Sequence, residues 1–101
     1  MTNIDISYIT SFLDSLDVIS RAKTLRMVRI LSEFGHELHM PHSKSIGRGL
    51  YELRVRGNPQ IRIFYAFSKS NIVLLHGFIK KSQKIPQKEL QRAKKIMKIG
   101  L

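Results

Sequence analysis

The chain has no cysteine, few acidic residues and no long apolar run. Small secreted domains usually depend on disulfides, and a transmembrane helix needs roughly 20 apolar residues in succession. The apolar runs here are only a few residues long, and no basic-then-apolar segment typical of a secretion signal opens the sequence. These absences predict a cytoplasmic protein with no membrane partner.

The scarcity of acidic residues is uneven along the chain. The net charge is +11, but residues 42–101 contain fourteen Lys and Arg against only Glu52 and Glu89. Such a field favours polyanions, of which nucleic acid is the commonest in the cytoplasm. We therefore expect a nucleic-acid or ribosome partner, with a merely solubilising basic surface as the alternative.

The 43% hydrophobic content argues against disorder, and 101 residues suffice for one modest core, so a single domain over residues 1–101 is expected. Helical spacing of apolar residues predicts a short amphipathic helix over residues 4–16. Asp17 is the expected N-cap of a second helix over residues 18–34, which Gly35 would end. The stripe of this helix predicted to face the core is Ala22, Leu25, Val28 and Leu31.

Three strands are predicted at about 49–56, 61–67 and 72–79, joined by turn-like residues that favour antiparallel hairpins. Residues 36–49 are predicted to be a loop, and a last helix is predicted from Pro86 to about residue 98. The expected fold class is α+β: two N-terminal helices packed on a small antiparallel sheet of three to four strands and closed by a C-terminal helix.

The strongest candidate site consists of Arg54, Arg56 and Arg62. If paired residues of the first hairpin sum to an even number, the three share one face; a four-residue loop would put Arg62 on the opposite face. On a shared face the like charges repel until an anion binds, which predicts a phosphate site. The alternative is a set of exposed arginines on a solvated sheet.

Two neighbouring side chains have more than one possible role. Glu52 is the only acid between Glu37 and Glu89, and it is either a general base or a counter-ion that orients Arg54. Tyr65 is either a core aromatic or a residue that stacks on a base or assists proton transfer.

His76 is either a core histidine or an acid–base group. Its face depends on the second hairpin. A two-residue turn at 69–70 would place it with Ile63, and a three-residue turn with Arg62.

Further cations extend the predicted site. Lys81 follows the third strand closely enough to reach a phosphate. The other side chains predicted to bind RNA are Arg56, Lys80, Lys84, Lys44 and Arg48. The basic residues of the last helix are interpreted as a solvated face.

His36, His39 and His42 recur every third residue, but only Glu37 is available to complete a ligand set with them. We therefore expect no metal. The sequence also lacks a phosphate-cradling glycine loop and a Ser-His-Asp or Cys-His set, and no cofactor is expected.

The succession GLYELR (49–54), RIFY (62–65) and IVLLHGFIKKSQKIP (72–86), flanked by FLDSL (12–16) and ELQRAKK (89–95), resembles the phage-derived, HigB-like branch of the RelE/ParE toxin superfamily. The resemblance covers about residues 8–98. Members usually open with a strand, for which MTNIDI is a poor candidate, so the presence of that strand is left open. Ile85 stands where a threonine is common before the proline.

The resemblance implies a RelE-like toxin of a type II toxin–antitoxin system, with a helix-turn-helix (HigA-like) antitoxin as partner in a hetero-oligomer. Its ribonuclease members cut mRNA on the ribosome without a metal, through attack by the 2′-OH. By position, Arg54, Arg62 and Lys81 match the family's basic residues, with Glu52, Tyr65 and His76 as auxiliaries. The alternatives are a ParE-like inhibitor of DNA gyrase and a non-toxic basic RNA-binding relative.

Overall fold

Five strands form one sheet in the computed structural model, which describes residues 1–101. The strands are β1 (Asn3–Asp5), β2 (Ser43–Gly47), β3 (Leu50–Val55), β4 (Gln60–Ser68) and β5 (Asn71–Lys80), in the order β1-β5-β4-β3-β2. β1 runs parallel to β5, and every other neighbouring pair is antiparallel. The helices are α1 (Thr10–Ser15), α2 (Val18–Phe34) and α3 (Gln87–Gly100), with a short 3₁₀ helix at Gly35–Glu37. The α+β class is confirmed.

Both ends of α2 form as the sequence predicts. Asp17 is the N-cap, and its carboxylate accepts a hydrogen bond of 2.7 Å from the backbone N–H of Ser20. Gly35 ends the helix with φ of 53°, a conformation that glycine adopts without steric cost. The boundaries are therefore local properties of the chain.

The buried stripe of α2 differs from the prediction. Val28 and Leu31 are buried as expected, but Leu25 is exposed, and Ser20 and Thr24 lie inside instead. The Thr24 hydroxyl donates to the carbonyl of Ser20 at 2.8 Å, which satisfies its polarity within the helix. Ala22 is exposed as well, so its predicted inward position is wrong.

Two strands lie where the sequence indicates a helix or a loop. Residues 3–5 form β1, which overlaps the start of the predicted 4–16 helix, so the helical part shrinks to α1. Thr2, the residue before β1, attaches the N-terminal segment to α2. Its backbone N–H donates to the carbonyl of Ser32 at 2.9 Å, and its carbonyl accepts from the Ser32 hydroxyl at 2.6 Å. β2 occupies part of the predicted 36–49 loop and pairs with β3 along the sheet edge. The sheet is consequently larger than three to four strands.

The sheet carries a hydrophobic core on each face. One face packs against α1 and α2 through Leu13, Val28 and Leu31; its sheet residues include Leu53, Ile63 and Leu74. The other packs against α3 through Leu90 and Ala93; its sheet residues include Phe64, Val73 and Phe78. Alternate residues of each strand therefore pack against different helices. Arg62, two residues before Phe64 on β4, lies on the face that packs against α3.

A β-bulge interrupts the pairing of β4 with β5. Phe64 is opposite His76, whereas the next residue, Tyr65, is opposite Leu74, so Leu75 is an extra residue in β5.

None of the helices has the length and apolarity that a membrane span requires.

Candidate active site

Arg54 and Arg62 are directly opposite each other on β3 and β4. Their numbers sum to an even value, so the parity condition for a shared face is met and that prediction is confirmed for this pair. Both lie on the α3 face, as their neighbours Glu52 and Phe64 do. The hairpin therefore concentrates two positive charges on one patch of sheet.

Glu52 lies between the two arginines and is only 1% exposed. Its Oε1 accepts a hydrogen bond of 3.1 Å from the Arg54 Nε and lies 3.9 Å from the Arg62 Nε. Its second oxygen, Oε2, has no hydrogen-bond partner. This geometry favours the counter-ion role over the general-base role, because the carboxylate is enclosed and shared by two cations.

Arg62 is 6% exposed, which is unusual for a guanidinium. Its terminal nitrogens donate to the Ile61 carbonyl at 3.2 Å and to the Gln60 side-chain carbonyl at 2.9 Å, while its Nε has no hydrogen-bond partner. Burial lowers the pKa of Arg62, and the positive charges of Arg54 and Arg56 lower it further, against the opposing effect of Glu52. The side chain is held in place by these two hydrogen bonds at the edge of the cleft.

These arginines open onto a cleft of about 920 Å³ where β4 begins and β5 ends. The cleft is also lined by Lys80 and Lys81, and by the uncharged polar residues Asn58, Gln60, Ser82 and Gln83. No Asp, Glu or His lines it, and Ile79 is its one apolar residue. Four cations around an acid-free cleft make a site for a phosphate or another anion.

His76 shares the face of Arg62, although the turn at 69–70 has two residues. The prediction that a two-residue turn would place it with Ile63 is wrong, because the extra residue Leu75 reverses the alternation beyond the bulge. Its Nε2 lies 2.7 Å from the Glu89 Oε1 of α3, and the imidazole does not line the cleft. His76 therefore joins α3 to the sheet.

Tyr65 lies on the opposite face from Arg54 and Arg62, so the structure bears out its role as a core aromatic, and its alternative role in the site is wrong. Its side chain is 1% exposed and packs in the core below α1 and α2. The hydroxyl forms a hydrogen bond with the Ser43 hydroxyl. Burial raises the pKa of Tyr65, and the bond to Ser43 opposes that rise.

The family model described as Phage derived protein Gp49-like (DUF891) matches residues 11–98. The chain belongs to the Gp49-like family. This is a family of RelE-like, toxin-like proteins, and membership is consistent with a toxin of a toxin–antitoxin system. A comparison with curated proteins found no match.

In this Gp49-like chain the other predicted cations are dispersed. Arg56 follows the end of β3 and lines a crevice beside α2 instead of the cleft, so it does not complete the predicted trio. Lys44 is opposite Glu52 on β2, exposed and on the same face. Lys84 is exposed but lines no part of the cleft, and Arg48 lies in the β2–β3 turn, at the other end of β3 from Arg54.

The three loop histidines do not converge. No group of three or more His, Cys, Asp or Glu side chains is arranged to hold a metal ion. His36 instead stacks on Phe67, with ring centroids 3.6 Å apart.

The sequence interpretation missed Glu89 and Gln60, which hold His76 and Arg62. One signal could have identified Glu89: it is one of only two acidic residues in the basic part of the chain, residues 42–101. Nothing in its spacing identified His76 as its partner, because the two side chains meet only through the packing of α3 on β5. Gln60 carries no such signal.

Proposed function

We propose that this Gp49-like protein is a cytoplasmic, HigB-like toxin that cleaves mRNA on the ribosome. The observation that supports the proposal is the cleft itself, which no acidic residue lines. Its four basic lining residues are Arg54, Arg62, Lys80 and Lys81. RNA presents one phosphate per nucleotide, and the two arginines that line the cleft supply guanidiniums suited to bind it.

In the proposed reaction the 2′-OH of one nucleotide attacks the adjacent phosphorus. The bond from phosphorus to the 5′-oxygen breaks, solvent water accepts the proton of the 2′-OH, and the leaving 5′-oxygen takes a proton from solvent water. The products are a 2′,3′-cyclic phosphate and a 5′-hydroxyl. Negative charge grows on the phosphorane oxygens, where Arg54, Arg62 and Lys81 would stabilise it in a metal-independent reaction.

No carboxylate or imidazole lines the cleft, so we assign charge stabilisation, not proton transfer, to these side chains. The ribosome would hold the mRNA with the 2′-oxygen in line with the leaving group. This division of labour explains why the chain can dispense with a histidine pair and why the ribosome is required. A helix-turn-helix antitoxin, joining the toxin in a hetero-oligomer, is the proposed inhibitory partner.

The test measures cleavage of a translated mRNA by primer extension, with purified ribosomes and the purified protein. We expect cuts within codons for the wild type and a rate about a hundredfold lower for Arg62→Ala. Because Arg62 is buried, circular dichroism must show that the variant is folded. Lys81→Ala, at an exposed position, provides a second variant that leaves the core untouched.

Lys95→Ala is the matched control for Lys81→Ala. Both lysines are exposed and both changes remove one charge, but Lys95 lies on α3 outside the cleft. We expect Lys95→Ala to retain cleavage within about twofold. Equal losses for the two variants would indicate a general charge effect and contradict the assigned site.

Absence of both ribosome binding and mRNA cleavage would refute the proposal. Inhibition of supercoiling by DNA gyrase under the same conditions would then favour the ParE-like alternative. Growth unaffected by expression of the wild-type chain would favour a non-toxic RNA-binding relative.

A further inference from the structure

Gln60 is the first residue of β4 and lines the cleft beside Arg62. The two residues are two apart on one strand, so their side chains lie on the same face of the sheet. Lys80 is opposite Gln60 on β5, and Arg54 is opposite Arg62 on β3. The uncharged Gln60 therefore lies among the basic residues that make the cleft suitable for a phosphate.

Only one orientation of the Gln60 amide suits its neighbour. Its Oε1 accepts a hydrogen bond of 2.9 Å from a terminal nitrogen of Arg62. A guanidinium has N–H donors and no acceptor, so the amide nitrogen Nε2 cannot take the place of that oxygen. Arg62 therefore holds Oε1 toward itself and keeps the two N–H groups of Nε2 directed away from its guanidinium.

The Nε2 of Gln60 has no hydrogen-bond partner in the protein. The side chain is exposed where it lines the cleft, so its two N–H groups are accessible to a molecule bound there. Asn58 and Gln83 also line the cleft with amides, but no hydrogen bond to another side chain sets their orientation. Gln60 is the amide of the cleft whose donors are both free and oriented.

We propose that Gln60 is a further substrate-binding residue, whose Nε2–H donates a hydrogen bond to a non-bridging oxygen of the scissile phosphate. The inference rests on the proposed function, because it names a contact made during that reaction. A non-bridging phosphate oxygen accepts hydrogen bonds, as the free N–H groups of Nε2 require. The bond strengthens as negative charge grows on that oxygen, so it stabilises the phosphorane more than the ground state.

A neutral donor at this position has an advantage over a fifth cation in the cleft. Burial already lowers the pKa of Arg62, and the positive charges of Arg54 and Arg56 lower it further. A cation at residue 60 would add repulsion, because it would lie opposite Lys80 and two residues from Arg62. The amide donates without adding charge, and its oxygen also holds the guanidinium of Arg62.

Nuclear magnetic resonance of the purified, ¹⁵N-labelled full chain tests the contact. The probe is an RNA oligonucleotide of about six nucleotides, long enough to follow a binding cleft. Its 2′-oxygens carry methyl groups, so it offers phosphates but cannot be cleaved. Gln60→Glu identifies the amide signals of Gln60, because this variant lacks them. We expect a proton signal of the Gln60 Nε2 to move downfield, saturably, and further than those of Asn58 and Gln83.

The outcomes separate this inference from the proposed function. Shifts of the backbone signals of Arg62 and Lys81 without a shift of the Gln60 amide would place RNA in the cleft and overturn the contact alone. No shift at any residue that lines the cleft would overturn the contact together with the assignment of the cleft as a phosphate site. Neither outcome depends on cleavage or on the ribosome.

Two variants distinguish contact with the substrate from simple support of Arg62. Gln60→Glu keeps an acceptor for Arg62 and loses both donors, whereas Gln60→Met loses the acceptor as well. We expect the rate of cleavage on ribosomes to fall at least about tenfold for each variant. A wild-type rate for Gln60→Glu, with a loss confined to Gln60→Met, would reduce Gln60 to a support and overturn the contact.

Gln83→Glu is the matched control for charge, because it also replaces an amide of the cleft by a carboxylate. The loss for Gln60→Glu should exceed the loss for Gln83→Glu by at least about fivefold. Equal losses would assign the effect to repulsion of phosphate and overturn the contact. Circular dichroism checks that the variants are folded, and both residues are exposed, so neither change disturbs the core.

Discussion

Arg54 and Arg62 face each other across neighbouring antiparallel strands, and their Nε atoms lie 3.1 and 3.9 Å from the same oxygen of Glu52. Like charges directly opposite in a sheet destabilise the pair. One buried carboxylate offsets only part of that repulsion, because it carries one charge against two. The remaining positive charge is available to an anion in the cleft.

Glu52→Gln should destabilise the protein by about 3–5 kcal/mol, because it leaves two arginines around a neutral side chain in the interior. Urea unfolding measures the change. Glu33→Gln is the control, since Glu33 forms an exposed pair with Arg29 and should contribute less than about 1 kcal/mol. Similar losses for the two variants would contradict the counter-ion role of Glu52.

Tyr65→Phe should leave ribosome-dependent cleavage unchanged, because the hydroxyl lies on the face opposite the cleft. It should lower the free energy of unfolding by about 1–3 kcal/mol, since the buried Ser43 hydroxyl loses its partner. Replacing both residues in Ser43→Ala/Tyr65→Phe should cost less than Tyr65→Phe alone. A large loss of cleavage in folded Tyr65→Phe would restore Tyr65 to the site.

Asp17 should give the stability of the protein an acid dependence. The backbone N–H and the hydroxyl of Ser20 lower the pKa of Asp17 below its ordinary value of 3.8. A carboxyl with a depressed folded-state pKa stabilises the fold above the unfolded value and loses that contribution as the pH falls through the folded value.

Asp17→Ala should therefore be less stable than the wild type at neutral pH, and the difference should shrink below about pH 3.8. Thermal unfolding monitored by circular dichroism from neutral to acidic pH measures it. Asp14→Ala removes an exposed carboxyl outside the cap and should show no such convergence. A pH-independent difference for Asp17→Ala would argue against the charged cap.

Gly77→Ala should destabilise the core beneath α1. A Cβ at residue 77 would overlap the Phe12 ring, so the ring or the strand must move, at a cost of about 1–3 kcal/mol. Denaturant unfolding of Gly77→Ala in the wild type and in a Phe12→Leu background checks this. The cost should fall in the Phe12→Leu background, and an unchanged cost would assign it to the strand backbone instead.

Local signals predicted much of the fold. The Asp17 cap and the Gly35 terminator predicted the limits of α2. Apolar alternation located β3, and apolar runs between turn residues located β4 and β5, each to within a residue or two. The sequence did not predict β1 because it has only three residues and pairs with β5, which is distant in the sequence. It did not predict β2, although β2 pairs with the next strand, because the residues of β2 are mostly polar or glycine. The buried stripe of α2 was misjudged because Ser20 and Thr24 satisfy their hydroxyls inside the helix.

The sequence by itself determined which residues this protein has available: a strongly basic second part, cations in three successive strands and one acid among them. The tertiary structure decided which of them meet. Strand side chains alternate between the two faces of the sheet, so a shift of one residue in the pairing places a side chain on the opposite face. The even register of β3 and β4 brought Arg54 and Arg62 together, the same alternation sent Tyr65 to the other face, and the extra residue Leu75 returned His76 to theirs.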